Sequence, residues 1–240
     1  MLINNLVETH CHILPAIDDG SPDVETSIKM IERLKAQGAE AIILTPHYYS
    51  DSISLDDFIE RRDRAFNELQ SALPSDSPKL ILGAEVYISQ YLFSNENLDR
   101  ISIGNSGYAL IEHPFSSSFS QETYDRLLNL TYDCGIKPIL AHIERYHALM
   151  EDEALLDEYI DMGCLTQVNI SSFSDSSRHV RKRLLKYLEN GKIHLVGSDC
   201  HNLTSRPPDY TKGVKEIIKK CSKDAINQLE QNANLLIKAE

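Results

Sequence analysis

Near the start of the chain, Leu6-Val7-Glu8-Thr9-His10-Cys11-His12 reads as a strand-like run ending in a His-x-His pair, and Ser198-Asp199-Cys200-His201 answers it almost a chain length later. Side chains in a strand alternate between faces, so residues two apart share one. His10 and His12 therefore project together, as do Asp199 and His201, while Cys11 and Cys200 point away. Two imidazoles from one segment, with a carboxylate and an imidazole from the other, make half-chelates for a borderline metal such as zinc, manganese or iron. One His-x-His can arise by accident. Two such pairs, with further ligand-type residues between them, mark a site.

Short apolar runs recur at Leu6–Glu8, Ala41–Leu44, Leu80–Leu82, Tyr108–Ile111, Lys137–Leu140, Thr166–Ile170 and His194–Val196. Continuous apolar character over such lengths, alternating with helical segments, is the pattern of parallel strands covered on both faces. The first helical segment carries an N-cap and N1 signal at Ser21-Pro22, an apolar stripe of Ile28, Ile31 and Leu34, and a stop at Gly38. Others cover about 55–73, 120–134, 151–162, 177–190, 210–220 and 222–238, the last beginning with Ser222. Seven strands with intervening helices predict an α/β chain built as a barrel related to the eight-fold one, with an open doubly wound sheet as the competing topology.

Residues just past the strands separate the two. In order, the strand ends present His10 and His12, His47, Glu85, Glu112-His113, His142, and Asp199 with His201. In a parallel barrel the C-terminal ends of all strands meet at one mouth, where active sites are built. In an open sheet the outer ends lie too far apart to share ions, so a metal cluster favours the closed form. Only the sixth strand, ending in Val168-Asn169-Ile170, offers no strong ligand.

At 240 residues and 42% hydrophobic, the chain can bury a full core as one domain over 1–240. A net charge of −12 disfavours nonspecific binding to nucleic acid or anionic membranes. An anionic substrate then needs a local positive centre, which bound metals can supply. No leader and no apolar run of about 18 residues is evident, and the expectation is a cytoplasmic protein without membrane insertion. Five cysteines with no CxxC argue against a closed disulfide framework.

The segments His10-Cys11-His12, Asp18-Asp19-Gly20, Thr45-Pro46-His47, Gly83-Ala84-Glu85, Leu110-Ile111-Glu112, Ala141-His142-Ile143-Glu144-Arg145-Tyr146 and Ser198-Asp199-Cys200-His201-Asn202 resemble the polymerase-and-histidinol-phosphatase (PHP) superfamily. Within it the chain most resembles the bacterial manganese-dependent protein-tyrosine phosphatases of capsule and exopolysaccharide operons, from about Val7 to Pro208. One departure is Tyr48, where some relatives carry a second histidine after Thr45-Pro46-His47. The resemblance implies a distorted seven-stranded (β/α) barrel of the PHP type holding two to three divalent ions, manganese first, iron or zinc as alternatives. It implies that His10, His12, Glu85 and Asp199 hold one ion, that Glu85, Glu112 and His142 hold a second with Glu85 bridging, and that Asp19, His47 and His201 hold a third. The family's Ile-Glu pattern favours Glu112 on the fourth strand, with His113 as the fallback.

Phosphoryl chemistry suits such a cluster, because metals generate hydroxide from bound water near neutral pH and polarise phosphoryl oxygens. Phosphoryl transfer demands mostly positioning and charge neutralisation, and Arg145 and Arg206 suit a bidentate clamp on phosphate. The implied reaction is hydrolysis of phosphotyrosine on a bacterial tyrosine kinase. A small-molecule phosphomonoesterase such as a histidinol-phosphate phosphatase shares the metal site. An amidohydrolase usually bridges its metals with a carbamylated lysine, where this chain offers Glu85. Cys200 to Arg206 also reads Cys-x5-Arg, the spacing of phosphocysteine phosphatases. That loop contains no glycine to bring backbone N–H groups onto phosphate, and strand alternation aims Cys200 away from the mouth. Asp18-Asp19-Gly20 is also an ordinary turn, and the basic run Arg178–Arg183 reads as a solvated helix face.

Overall fold

A computed structural model describes residues 6–238. Its first half runs β1 (Leu6–Cys11), α1 (Val24–Lys35), β2 (Ala39–Leu44), β3 (His47–Tyr48), α2 (Leu55–Ala72), β4 (Lys79–Leu82), β5 (Glu85–Tyr87) and β6 (Tyr108–Glu112). The second half continues with α3 (Gln121–Tyr132), β7 (Lys137–Leu140), α4 (His147–Glu151), α5 (Glu153–Asp161), β8 (Leu165–Asn169), α6 (Ser172–Asp175), α7 (Arg178–Glu189), β9 (Leu195–Gly197), α8 (Thr211–Lys220) and α9 (Lys223–Ile237). No helix among the described residues is long and apolar enough to cross a membrane.

All strand pairs are parallel, in the orders β1-β2-β4 and β3-β5-β6-β7-β8-β9. Seven strands are expected from the sequence, and nine form among the described residues, because the chain resumes strand pairing in β3 and β5, beyond the ends of the expected runs Ala41–Leu44 and Leu80–Leu82. Thr45-Pro46 separates β2 from β3, where proline lacks an N–H to donate. Gly83-Ala84 separates β4 from β5. The ladder nevertheless passes across both breaks, through Gly83 N–H to Leu44 O at 2.9 Å and Glu85 N–H to Pro46 O at 2.9 Å. At the other seam, Asp199 N–H donates to His10 O at 2.8 Å and His12 N–H to Cys200 O at 2.9 Å. β1 thus has hydrogen-bonded neighbours on both edges and the sheet curls back on itself. An open sheet does not.

Alternation along the strands sorts the core into two layers. Val7, Ile43, Ile81, Leu110, Ile139 and Leu195 contact one another from six different strands, which places them inside the curl, and Ala233 and Leu236 of α9 pack against them. Ile42, Leu44, Ile111, Leu140 and Val168 face outward and meet the helices through Met30, Leu34, Leu69, Leu127, Leu156 and Leu184. Each fully buried aliphatic side chain here contributes about 1.5–3 kcal/mol relative to exposure. A register shift in β1 between Glu8 and Cys11 changes the parity of that strand. Strict alternation from Val7 would send His10 to the outer face; the extra residue returns it to the inner one.

The start of α1 also departs from expectation. Ser21-Pro22 does not cap it; Asp23 does, accepting from Thr26 N–H at 2.7 Å. Ser21 is committed elsewhere, its N–H donating to His12 O at 3.0 Å and its hydroxyl to Asp23 O. The helical pattern at 151–162 forms as α5, capped by Asp152, and the short α4 before it lies ahead of the expected span. Ser222 caps α9 as its position predicts, accepting from Ala225 N–H at 3.2 Å.

Candidate metal centre

The inner-face side chains that follow the apolar layer are imidazoles and carboxylates, and they converge. His10 Nε2 and His12 Nε2 lie 3.3 Å apart, each 3.1 Å from Glu85 Oε2 and 3.5 Å from Asp199 Oδ1. Donors about 2.1 Å from one cation stand about 3–3.5 Å from each other, so this spacing is that of a coordination shell. All four residues are buried. Two further groups of convergent donors adjoin this one: His12, Asp19, His47 and His201, and His47, Glu85 and Glu112. The buried ring nitrogens His47 Nδ1 and His201 Nε2 make no hydrogen bond, although carboxylate oxygens stand 3.2 and 3.4 Å away at Glu85 and Asp19. Divalent cations fit this donor set.

Loop geometry brings the ligand-type groups together at a cost. His142 and Asp199 adopt positive φ of 32° and 53°, a left-handed conformation that costs a non-glycine residue on the order of 1–3 kcal/mol. Glycines allow the closest approaches: a Cβ on Gly20 would lie 2.2 Å from His12 O, and one on Gly197 would lie 2.6 Å from His10 Cβ.

Electrostatics follow from crowding. Burial pushes the His12 imidazole down, but hydrogen bonds with Asp18 and Glu85 outweigh it and raise its pKa well above the ordinary value. Asp18, against burial, is drawn down to about 2 by the same contact. Burial likewise opposes a charged His142, yet Glu112 and Glu85 raise it to about 9. Glu85, despite complete burial, falls well below the usual carboxylate range beside His10, His12 and His142. His201 drops to about 4 through burial and the charges of His12 and Arg206.

The set His10, His12, Glu85 and Asp199 is one convergent group. His142 Nε2 lies 3.0 Å from Glu85 Oε1 and 3.4 Å from Glu112 Oε1. His47 shares those carboxylates, with Nδ1 at 3.2 and 3.9 Å, while its Nε2 faces Asp19 at 3.6 Å. It therefore adjoins two groups rather than one. Asp19 is the outermost member, its side chain 67% exposed. His113 is turned the other way, buried between Phe119 and Tyr146 at centroid distances of 4.8 and 5.9 Å, and burial lowers it to about 3. Of the two neighbours, Glu112 is the one at the cluster.

Arg145 and Arg206 both reach one carboxylate: their Nη2 atoms lie 2.5 Å from Asp199 Oδ2 and 2.7 Å from Asp199 Oδ1. About a third of each side chain remains exposed, and both line a cleft of about 450 Å³ with Ser171, Ser198 and Lys212. Cys200 is fully buried and its strand partner is Cys11, so no thiol faces this cleft. Tyr48 is also buried, packed on Phe58 at 4.7 Å, and the mouth at this point is lined by Tyr49 instead. The basic run on α7 is spent partly on ion pairs, with Arg183 3.0 Å from Glu151.

Several orienting residues escape a reading by ligand type. Asp18 Oδ2 accepts from His12 Nδ1 at 2.8 Å and from His47 N–H at 3.0 Å. Gln167 Oε1 meets His10 Nδ1 at 3.2 Å and accepts from His142 N–H at 2.7 Å. Asn169 Nδ2 donates to Asp199 Oδ2 at 2.8 Å, and Glu144 Oε1 accepts from Asn169 N–H at 3.0 Å. Such partners fix imidazole tautomer and carboxylate orientation. The available signal was Gln167-x-Asn169, two amides sharing one face of a buried strand.

A curled parallel α/β sheet with a buried imidazole–carboxylate cluster at its C-terminal mouth defines a metallohydrolase class of site. Residues 6–238 match the family described as capsular polysaccharide synthesis, CpsB/CapC, and the chain belongs to that family. It is 31% identical over 241 residues to the tyrosine-protein phosphatase CpsB of Streptococcus agalactiae, covering 97% of this chain and 98% of that protein. The tyrosine-protein phosphatase CpsB of Streptococcus pneumoniae is 34% identical over 226 residues, covering 90% of each. A solved structure from crystallographic work on YwqE of Bacillus subtilis and CpsB of Streptococcus pneumoniae, described as unique metal-dependent tyrosine phosphatases, superposes with a TM-score of 0.83 at 27% identity, over 98% of this chain and 95% of that one.

Proposed function

We propose that this chain is a metal-dependent protein-tyrosine phosphatase of the PHP type that removes phosphate from a tyrosine kinase controlling capsule or exopolysaccharide synthesis in the cytoplasm. The observation that carries this reading is the coordination-shell spacing of His10, His12, Glu85 and Asp199 in a chain whose relatives are named tyrosine-protein phosphatases. The fold on this reading is a seven-stranded PHP-type barrel in one domain, with β2 and β3, and β4 and β5, counted as single staves; the hydrogen bonds across the two breaks support that count.

The residues that would hold the ions are His10, His12, Glu85 and Asp199 for one, Glu85, Glu112 and His142 for a second, and Asp19, His47 and His201 for a third, with manganese the preferred metal. Bound there, divalent cations would neutralise phosphoryl charge and lower the pKa of a water molecule. The protein's own part is positioning. Asp18 and Gln167 hold His12 and His10 with Nε2 inward. Arg145 and Arg206 give a chain of net charge −12 a local cationic centre, and their guanidiniums bind phosphate oxygens.

Metal analysis of the purified chain alongside turnover of phosphotyrosine peptides and small alkyl phosphate esters tests this. Bound manganese with preferential peptide turnover is expected. Preference for a small alkyl ester would overturn the protein substrate, and full turnover after complete chelation would overturn the metal.

A further inference from the structure

Two large aromatic rings stand exposed at the mouth, each against a different imidazole of the cluster. Tyr49, 38% exposed, lies on His47 with centroids 5.2 Å apart; Phe115, 59% exposed, lies on His142 at 5.9 Å. Those two imidazoles face different oxygens of one carboxylate, His47 Nδ1 at 3.2 Å from Glu85 Oε2 and His142 Nε2 at 3.0 Å from Glu85 Oε1. The two rings therefore border the same part of the cluster. Exposed apolar residues scattered singly mean little, but each of these two packs on an imidazole that itself faces Glu85.

Each ring is held. Tyr49 continues onto Tyr87 at 5.8 Å, and a 3.0 Å hydrogen bond between Ser50 and Ser89 ties the two loops. Phe115 follows Pro114, whose carbonyl accepts from Ser117 N–H at 2.8 Å to close a turn. The Arg145 guanidinium stacks over Phe115 at 5.8 Å while it reaches Asp199. Phe115 thus touches both a cluster imidazole and a guanidinium assigned to phosphate.

We infer that Phe115 and Tyr49 form an aromatic frame that takes the aryl ring of the substrate, making the site selective for aryl over alkyl phosphate monoesters. The inference rests on the phosphatase reading above. A phosphate drawn to Arg145 brings its ester substituent beside Phe115. When the substituent is a phenyl ring it packs edge or face against Phe115 and Tyr49; a short alkyl chain leaves both uncovered.

Competition binding of phenylphosphonate and methylphosphonate to the manganese-loaded chain tests this apart from turnover. The unsubstituted chain should prefer phenylphosphonate, and Phe115→Ala should cut that preference about five- to tenfold, Tyr49→Ala by less. Phe115→Tyr should preserve it. With a phosphotyrosine peptide, the Phe115→Ala loss should fall on KM rather than kcat. An unchanged phosphonate preference in Phe115→Ala, at full metal content, overturns the frame. Failure of the phosphatase reading has a separate signature: no hydrolysis of any phosphotyrosine peptide by the unsubstituted, metal-loaded chain.

Discussion

Inside the curled sheet, Val7, Ile43, Ile81, Leu110, Ile139 and Leu195 pack on one another and on Leu236 of α9; further along the same staves come His10, Glu85, Glu112, His142 and Asp199, which are buried as well. Burial is equal in the two regions, and its consequence is opposite. In the apolar layer every contact stabilises without orienting anything. At the mouth each buried ionisable group costs desolvation that only its neighbours or a bound cation can offset. The positive-φ residues His142 and Asp199 lie at the mouth, and none of the inner apolar residues adopts that conformation. The layer below is what can hold such strain in place.

The comparison is broken most completely by His10→Ala or Asp199→Ala. Either should abolish bound metal and turnover together while the circular dichroism spectrum stays that of the folded chain. Retained metal and activity in either variant would remove that residue from the centre. Leu110→Ala makes the reciprocal cut: a loss of about 2–5 kcal/mol in denaturant unfolding, with metal content per folded molecule preserved. A stability change below 1 kcal/mol, or selective loss of metal, would mean the layers are not separable.

Arg145→Ala or Arg206→Ala should keep the metals and lower kcat/KM for phosphotyrosine peptides by roughly 10²-fold, with lysine restoring only part, because it supplies charge without the planar fork. Wild-type efficiency in both alanine variants at full metal occupancy would end the clamp assignment. The smallest effect is expected at Cys200→Ala. The residue is buried against Cys11 and away from the cleft, so the variant should retain most of its turnover. Strong inactivation with metal retained would point to a covalent thiol instead.

The ligand-type residues were legible because strand periodicity is local: His10 and His12 share a face whatever surrounds them. The orienting residues were not. Gln167 is an ordinary strand amide until the fold sets its oxygen against both His10 and His142, residues 157 and 25 positions away. Asp18 read as part of a turn, and it takes meaning from its contacts with His12 at 2.8 Å and with His47 N–H at 3.0 Å, which a close-approaching Gly20 accommodates. Arg145 and Arg206 were legible as cations near the mouth, whereas their meeting on one carboxylate belongs to the closed sheet.

By itself, the sequence determined the parallel strand–helix alternation, the ring of imidazoles and carboxylates at strand ends, and the acidic surface against which two arginines stand out, since each depends on residue type and short-range spacing. Tertiary structure decided the rest. The register shift in β1 put His10 on the inner face, the short strands β3 and β5 added themselves past Thr45-Pro46 and Gly83-Ala84, and the seam between His10 and Asp199 closed the sheet. These depend on hydrogen bonds between segments far apart in the chain, whose geometry no local window of sequence contains.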